Sequence, residues 1–596
     1  MLDSTYETSP DEAIQTLGTY AAQQPTLEMI HSVAELAFLQ ADWAARLGRN
    51  DRAQLMYATA LISSHQFLFD SNLDVNRNAF DPQFRSISDI YNRSLEEILR
   101  RMIKRNELTP NTIVEVEALN KKLRFQIANA SKWQYEEIER FEIASDYEPQ
   151  GVNNHYRTYG LGVPLIGVRK PRANDATIEE HYPPDLTMAF TAFLDCSGTW
   201  NKNLVTAADT ATLVLFDPLQ QNVVQLGDRV VPLESDITTP MAYHMNDPLL
   251  STNVMATFGL LNANFAKEFQ GIYMLEPYDP DKIPVVMVHG LWSSPVTWLQ
   301  MFNDLRADHD LQDKYQFWFC LYPTGQPFWE SARQVRNDLE QLRNELSARY
   351  PSENGELPVA ATDMVLVGHS MGGLVSRMLT VHSRGEFWSL ISEYPVESFD
   401  GDPATLARLK NTFEFEPVAG VSEVITIGTP FKGSPFASDT VKWLGEKIIT
   451  LPKVMTNDYS AIAKENKELV RNEKLLATAT SLDSLAPNNP IFNSLMIASA
   501  ADGVHYHNIA GHLEKQTMLA KLTKLPEGDG VVAITSSQAP FAVSSIEVDE
   551  EHSLLHQHPA TIMEVKRVLL EHLKSLEPEF TPLAELPTGP LTPIIR

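Results

Sequence analysis

Residues Asp363–Val381 read DMVLVGHSMGGLVSRMLTV, and the rest of the chain is organised around them. Met364, Val365, Leu366 and Val367 form a continuous apolar run, the pattern of a strand buried on both faces. Gly368-His369-Ser370-Met371-Gly372 follows at once, and Leu374, Val375, Met378 and Leu379 then recur at helical spacing. This predicts a strand that turns sharply into a helix, with the Ser370 hydroxyl exposed on the turn above a sheet. The flanking glycines let the backbone pass closely enough for such a turn. A Gly-x-Ser-x-Gly pattern alone is common, but an apolar strand before it and a helix behind it make Ser370 a candidate nucleophile.

Outward from this stretch, the second half of the chain alternates strands and helices. Ile283–Val288, IPVVMV, is a buried-type strand ending in His289-Gly290-Leu291-Trp292. Tyr315–Tyr322 reads as a strand, and Ala332, Val335, Leu339, Leu342 and Leu346 line one face of the following helix. Val424–Ile427 is a strand closing in Gly428-Thr429-Pro430-Phe431-Lys432-Gly433-Ser434. Val504–Ala510 is another, followed by a loop carrying Glu527-Gly528-Asp529-Gly530-Val531-Val532. A last strand, Val543–Val548, leads through Asp549–Pro559 into a helix with Ile562, Val565, Leu569 and Leu573 on one face.

Taken in order, HGLW at 289–292, GHSMGG at 368–373, GTPFKGS at 428–434, GDGVV at 528–532 and a C-terminal His resemble the α/β-hydrolase superfamily, and more closely its lipase-like serine ester hydrolases. The resemblance covers about residues 283–575. It implies an α/β fold with a mostly parallel sheet flanked by helices, and a triad in the chain order Ser, acid, His. Carried over, the oxyanion donors would be the amides of Leu291 and Met371, each lowering the barrier by ~2.7 to 4 kcal/mol. Asp529 is the matching acid; Asp502, Asp549 and Glu551 are the competing carboxylates. For the base, His552 stands closest to the end of the last strand and matches the pattern best, with His556 as the alternative. His558 directly precedes Pro559 and reads as part of the helix cap. Phe431 stands where a His is often expected, so no polar role carries over to it.

The chemistry implied is hydrolysis of a carboxylic ester through an acyl-enzyme, with no cofactor and a small-molecule or lipid ester as substrate. An amidase or thioesterase would use the same residues. A non-catalytic scaffold binding an acyl ligand or a partner protein is the alternative of a different class, although every triad position is filled here. The spacing of His552, His556 and His558 also admits zinc, but no Cys or carboxylate pattern completes a site. His505, His507 and His512 read as loop and strand residues.

Two insertions, about 383–420 and 435–503, exceed what a crossover needs. One carries Trp388, Leu390, Ile391 and Tyr394, and the other Trp443, Leu444, Ile448, Ile449, Leu451, Val454 and Met455. Such segments read equally as packed helices or as a lid whose apolar face makes transient contact with a lipid interface.

With 596 residues the chain exceeds one compact core, and two to four domains are expected. Lys+Arg 48 against Asp+Glu 77 leaves a net charge of -29, which argues against nucleic acid and anionic lipid as partners. Cys196 and Cys320 lie far apart, so neither a disulfide framework nor a thiolate metal site is expected. The N-terminus has no basic and apolar leader pattern, and no apolar run approaches ~18 residues, so a soluble chain, cytoplasmic by default, is expected.

Residues 1–150 read as a helical region, a bundle or one tetratricopeptide-like pair, capped at Ser9-Pro10-Asp11-Glu12 and able to dock a partner protein. Within it, Glu115–Glu142 reads as mixed helix. Residues 151–275 read as a small β-rich module with strands at Leu186–Leu194, Ala211–Phe216, Val223–Leu226 and Arg229–Leu233. The catalytic domain is expected over 276–576, followed by a Pro-rich tail at 577–596.

Overall fold

The structure, a computed structural model, describes residues 9–118, 121–172, 176–196, 209–246, 270–291, 293, 295–351, 357–434, 459–514 and 527–576. It divides into two compact units, Met1–Tyr278 and Asp279–Arg596. The apolar residues proposed for 435–458 and the Pro-rich tail lie outside the described residues, as does Trp292.

The first unit opens with helices α1 (Pro10–Gln23), α2 (Leu27–Arg46), α3 (Asn50–Phe69) and α4 (Pro82–Lys104). Small residues allow close packing of α2 on α3, with Ala34, Ala37, Ala41, Ala53 and Ala60 fully buried between the larger side chains. The helices end at Lys104, well before 150. Strands β1 (Ile113–Ala118), β2 (Lys121–Ala130) and β3 (Ile138–Ile143) occupy the stretch read as mixed helix. Leu123, Phe125 and Ile127 are buried while Lys122, Arg124 and Gln126 are exposed, an alternation of period two that only a strand produces.

These strands join β4 (Val163–Arg169), β5 (Thr187–Asp195) and β6 (Asp209–Phe216) in one six-stranded sheet, in the order β1-β2-β6-β5-β4-β3. Only the β2–β6 pair is parallel. A boundary at 150 would therefore cut through the sheet. The helices belong to the same unit: the buried Tyr91 hydroxyl of α4 donates to Leu194 O (2.7 Å) on β5 and accepts from Leu194 N–H (3.0 Å).

In the second unit, β7 (Ile283–Val288), β8 (Tyr315–Leu321), β9 (Met364–His369), β10 (Val421–Ile427), β11 (His505–His512) and β12 (Ser544–Asp549) pair in the order β8-β7-β9-β10-β11-β12. Every pair is parallel. Strands β7, β8 and β9 are buried along their whole length, which is why their sequences are mostly apolar with no alternation. Helix α5 (Phe328–Arg349) packs against α6 (Met371–Thr380), and α7 (Pro559–Leu576) closes the unit. In a parallel sheet all the carboxyl ends lie along one edge, so the loops after β7, β9, β10, β11 and β12 converge there.

In the first insertion, Phe387, Trp388, Ile391, Val396 and Phe399 are buried, whereas Tyr394 is exposed. Its apolar residues thus pack inward. Among the described residues no helix is long and apolar enough to cross a membrane.

Candidate active site

Ser370 sits between β9 and α6 with φ 55° and ψ -123°, a conformation that L-residues rarely adopt. The turn is held by its surroundings: Ser370 N–H donates to Ile427 O (2.8 Å) on β10, and Gly373 N–H donates to Ser370 O (3.1 Å). Gly372 lets the start of α6 lie on the end of β7, since a Cβ there would meet Val288 O at 2.1 Å. Gly290, just beyond β7, touches the Ser370 turn directly; a Cβ would stand 2.9 Å from Ser370 Cβ. The hydroxyl is less open than the sequence predicts. Ser370 is only 8% exposed, because an imidazole covers it.

That imidazole is His552, three residues beyond β12. Its Nε2 lies 2.9 Å from Ser370 Oγ, and its Nδ1 lies 2.6 Å from Asp529 Oδ2. Asp529 is 2% exposed, on the turn after β11. Its other oxygen, Oδ1, accepts the N–H groups of Val531 (3.0 Å) and Val532 (2.7 Å), so the carboxylate is fixed in orientation. A carboxylate accepts from Nδ1–H, which leaves the Nε2 lone pair facing the serine hydroxyl. An array of this kind can take the hydroxyl proton as the oxygen attacks a carbonyl. The backbone joins in as well: His552 N–H donates to Asp529 O (3.0 Å), and His552 O accepts from His369 Nε2 (3.0 Å).

The competing residues stand in other surroundings. His556 shares a hydrogen bond with Thr297 Oγ1 (2.5 Å), and burial pushes its pKa down to about 4. His558 Nδ1 accepts from Ala560 N–H (3.2 Å) at the start of α7. The three imidazoles that the zinc reading would group therefore face three different partners. Asp502 is exposed before the amino end of β11, and Asp549 Oδ1 accepts from Glu514 N–H (3.0 Å). Glu551 is exposed.

Met371 N–H opens α6, where no carbonyl four residues back can accept it within the helix, and the positive end of the helix dipole adds to its pull on an anion. Leu291 follows Gly290 beside Ser370. The peptides leading to it are braced by His289, whose ring stacks on Tyr322 at 4.4 Å, and by the Tyr322 hydroxyl, which donates to His289 O. Complete burial lowers the His289 pKa to about 4, so it is a neutral spacer.

The 428–434 stretch is bonded to the Asp529 turn through Ser434 Oγ to Val531 O (2.6 Å). Phe431 is fully buried with its ring 5.3 Å from Phe541, which accounts for an apolar side chain there. Sequence reasoning passed over Tyr322, Thr297 and His369. Only His369 left a trace, as the variable residue inside the Gly-x-Ser-x-Gly pattern.

Residues 285–544 match the model of the alpha/beta hydrolase family. Among solved structures, the mature lipase BlEst2 of Bacillus licheniformis is 17% identical, covers 49% of this chain and 93% of its own, and superposes with a TM-score of 0.28. EstA from Clostridium botulinum is 14% identical over 48% of this chain and 86% of its own, TM-score 0.29. Lipase 1 from Pelosinus fermentans is 14% identical over 49% and 98%, TM-score 0.28. No match to the chain was found among curated proteins.

Proposed function

We propose that the second unit, whose residues 285–544 match the model of the alpha/beta hydrolase family, is a serine hydrolase acting on carboxylic esters, of lipid-like or other acyl type. The observation that carries this reading is the unbroken line from Ser370 Oγ through His552 (2.9 Å) to Asp529 (2.6 Å) at the carboxyl edge of the sheet. In the reaction, His552 Nε2 removes the Ser370 proton as Oγ attacks the acyl carbon. Asp529 keeps Nδ1 protonated and stabilises the imidazolium that forms. The amides of Leu291 and Met371 receive the oxyanion as charge develops on it. The imidazolium then protonates the leaving alkoxide, an alcohol departs, and water deprotonated by His552 releases the acid and frees Ser370. The chemistry needs no cofactor.

The test is hydrolysis of p-nitrophenyl esters of graded acyl length by the full chain beside Ser370→Ala, with fluorophosphonate labelling of both. Turnover and labelling should be lost together in the variant. A Ser370→Ala chain that hydrolyses every ester as fast as the wild type would end the proposal. The acyl length at which turnover peaks separates a lipase-like pocket from a short-chain esterase.

A further inference from the structure

We infer that His369 is a positioning residue for His552, holding through its Nε2–H the main-chain carbonyl of the residue whose imidazole faces Ser370 (3.0 Å). The inference rests on the roles proposed above for Ser370 and His552. A carbonyl can only accept, so the His369 nitrogen facing it carries the proton, and a neutral ring leaves Nδ1 as a bare lone pair. Nδ1 is indeed buried without a hydrogen-bond partner. A second proton there would create an unsolvated cation 5.0 Å from the His552 ring and 4.6 Å from the His556 ring, centroid to centroid. Burial and these neighbours hold the pKa of His369 well below the usual histidine range.

Two features separate this contact from ordinary packing. His369 is the residue next to Ser370, so its hydrogen bond ties the base to the nucleophile's own backbone; movement of the turn carries His552 with it. The opposite main-chain group of His552, its N–H, is held by Asp529 O (3.0 Å), so one residue is clamped from both the nucleophile side and the acid side. The loop bearing Leu291 meets the same ring: Trp298 lies edge-on to His369 at 6.4 Å, and Thr297 bonds His556, which packs on His369. His369 thus stands where three loops of the site meet.

The test compares His369→Leu, which keeps the bulk and lacks a donor, with His369→Gln, whose amide nitrogen reaches the place of Nε2. A base displaced by about 1 Å costs up to ~100-fold in rate, so kcat of His369→Leu should fall by ~10- to 100-fold with KM within about twofold. His369→Gln should recover kcat to within about threefold of the wild type through its donor. Equal kcat for the two variants, whether both high or both low, would overturn the role. If neither variant folds, the ring itself is read in the wild-type chain labelled with 15N-histidine, identified by its contacts to the Trp298 and His556 ring protons. A ring protonated at Nε2, bare at Nδ1 and untitrated while the chain stays folded agrees with the role; an Nδ1–H tautomer refutes it. Full turnover by Ser370→Ala would remove the reaction reading and the positioning role together. Loss in Ser370→Ala with an unchanged His369→Leu would remove only the latter.

Discussion

Replacing Asp529 by Asn should abolish nearly all turnover without disturbing the fold, because the two carboxylate oxygens have separate and incompatible tasks. Oδ1 accepts two N–H groups, from Val531 at 3.0 Å and Val532 at 2.7 Å. An amide NH2 placed there would confront two donors and leave both unsatisfied, at roughly 1–3 kcal/mol each. The Asn oxygen must therefore take the Oδ1 position, and its NH2 falls where Oδ2 now stands, 2.6 Å from His552 Nδ1. Facing a donor, His552 moves its proton to Nε2, and that N–H then points at Ser370 Oγ from 2.9 Å. The ring becomes a donor to the nucleophile when an acceptor is needed. A reversal of this kind costs about 10⁴-fold in kcat, which is about 5.4 kcal/mol of transition-state stabilisation at 1.36 kcal/mol per decade. The assay is kcat and KM on a p-nitrophenyl ester, with thermal unfolding measured beside it. KM and Tm should stay close to the wild type, since the two side chains have the same shape. A loss of less than about tenfold, or a loss confined to KM, would refute the assignment of Asp529 and the tautomer argument with it.

Two further outcomes follow from the same geometry. In Gly290→Ala the new methyl would stand 2.9 Å from Ser370 Cβ and 3.1 Å from His369 O, so stability should fall by about 1–3 kcal/mol in denaturant unfolding. Turnover should fall more steeply, because the strain lands on the nucleophile; an unchanged kcat would mean that the loop after β7 yields freely. The pH dependence of stability should carry the mark of His289 and His556, both held near 4 by burial against an ordinary 6.5. Below about pH 6.5 the unfolded chain takes up protons that the folded chain refuses, so stability is fully present above that pH and is lost as pH falls towards 4. Each ring contributes at most about 1.4 kcal/mol per pH unit in that window. Urea unfolding of the His289→Gln/His556→Gln double variant should show a shallower slope; an equal slope would place the acid sensitivity elsewhere.

The first half of the chain shows why patterns in sequence can be passed over. The alternation of Leu123, Phe125 and Ile127 with charged and polar neighbours marks a strand, yet the stretch sits after four helices and pairs with β6 only much later, at Leu123↔Asp209. Its other partner, β1, is close in sequence, with Ala118 opposite Lys121, so the alternation and a local hairpin both marked the stretch and only the pairing with β6 lay beyond reach of the sequence. The reverse holds for the second half, where unbroken apolar runs such as Val285–Val288 are themselves the signature of burial on both faces.

By itself the sequence determined the strand-turn-helix around Ser370, because the apolar run, the glycines and the helical spacing all lie within one short stretch and interact locally. It also determined the order of the motifs and hence the kind of sheet that carries them. Through the resemblance it narrowed the candidate base to His552 or His556, four residues apart, and favoured Asp529 among the carboxylates. Only the tertiary structure decided which groups meet: the Ser370–His552 contact joins residues 182 apart in the chain. His552 and His556 are separated by a turn that sends one ring to Ser370 and the other to Thr297. No pattern along the chain encodes that division. It arises from where β12 ends against β11, with Asp549 opposite His512, and from the packing of the His556 ring against Trp298 and His369.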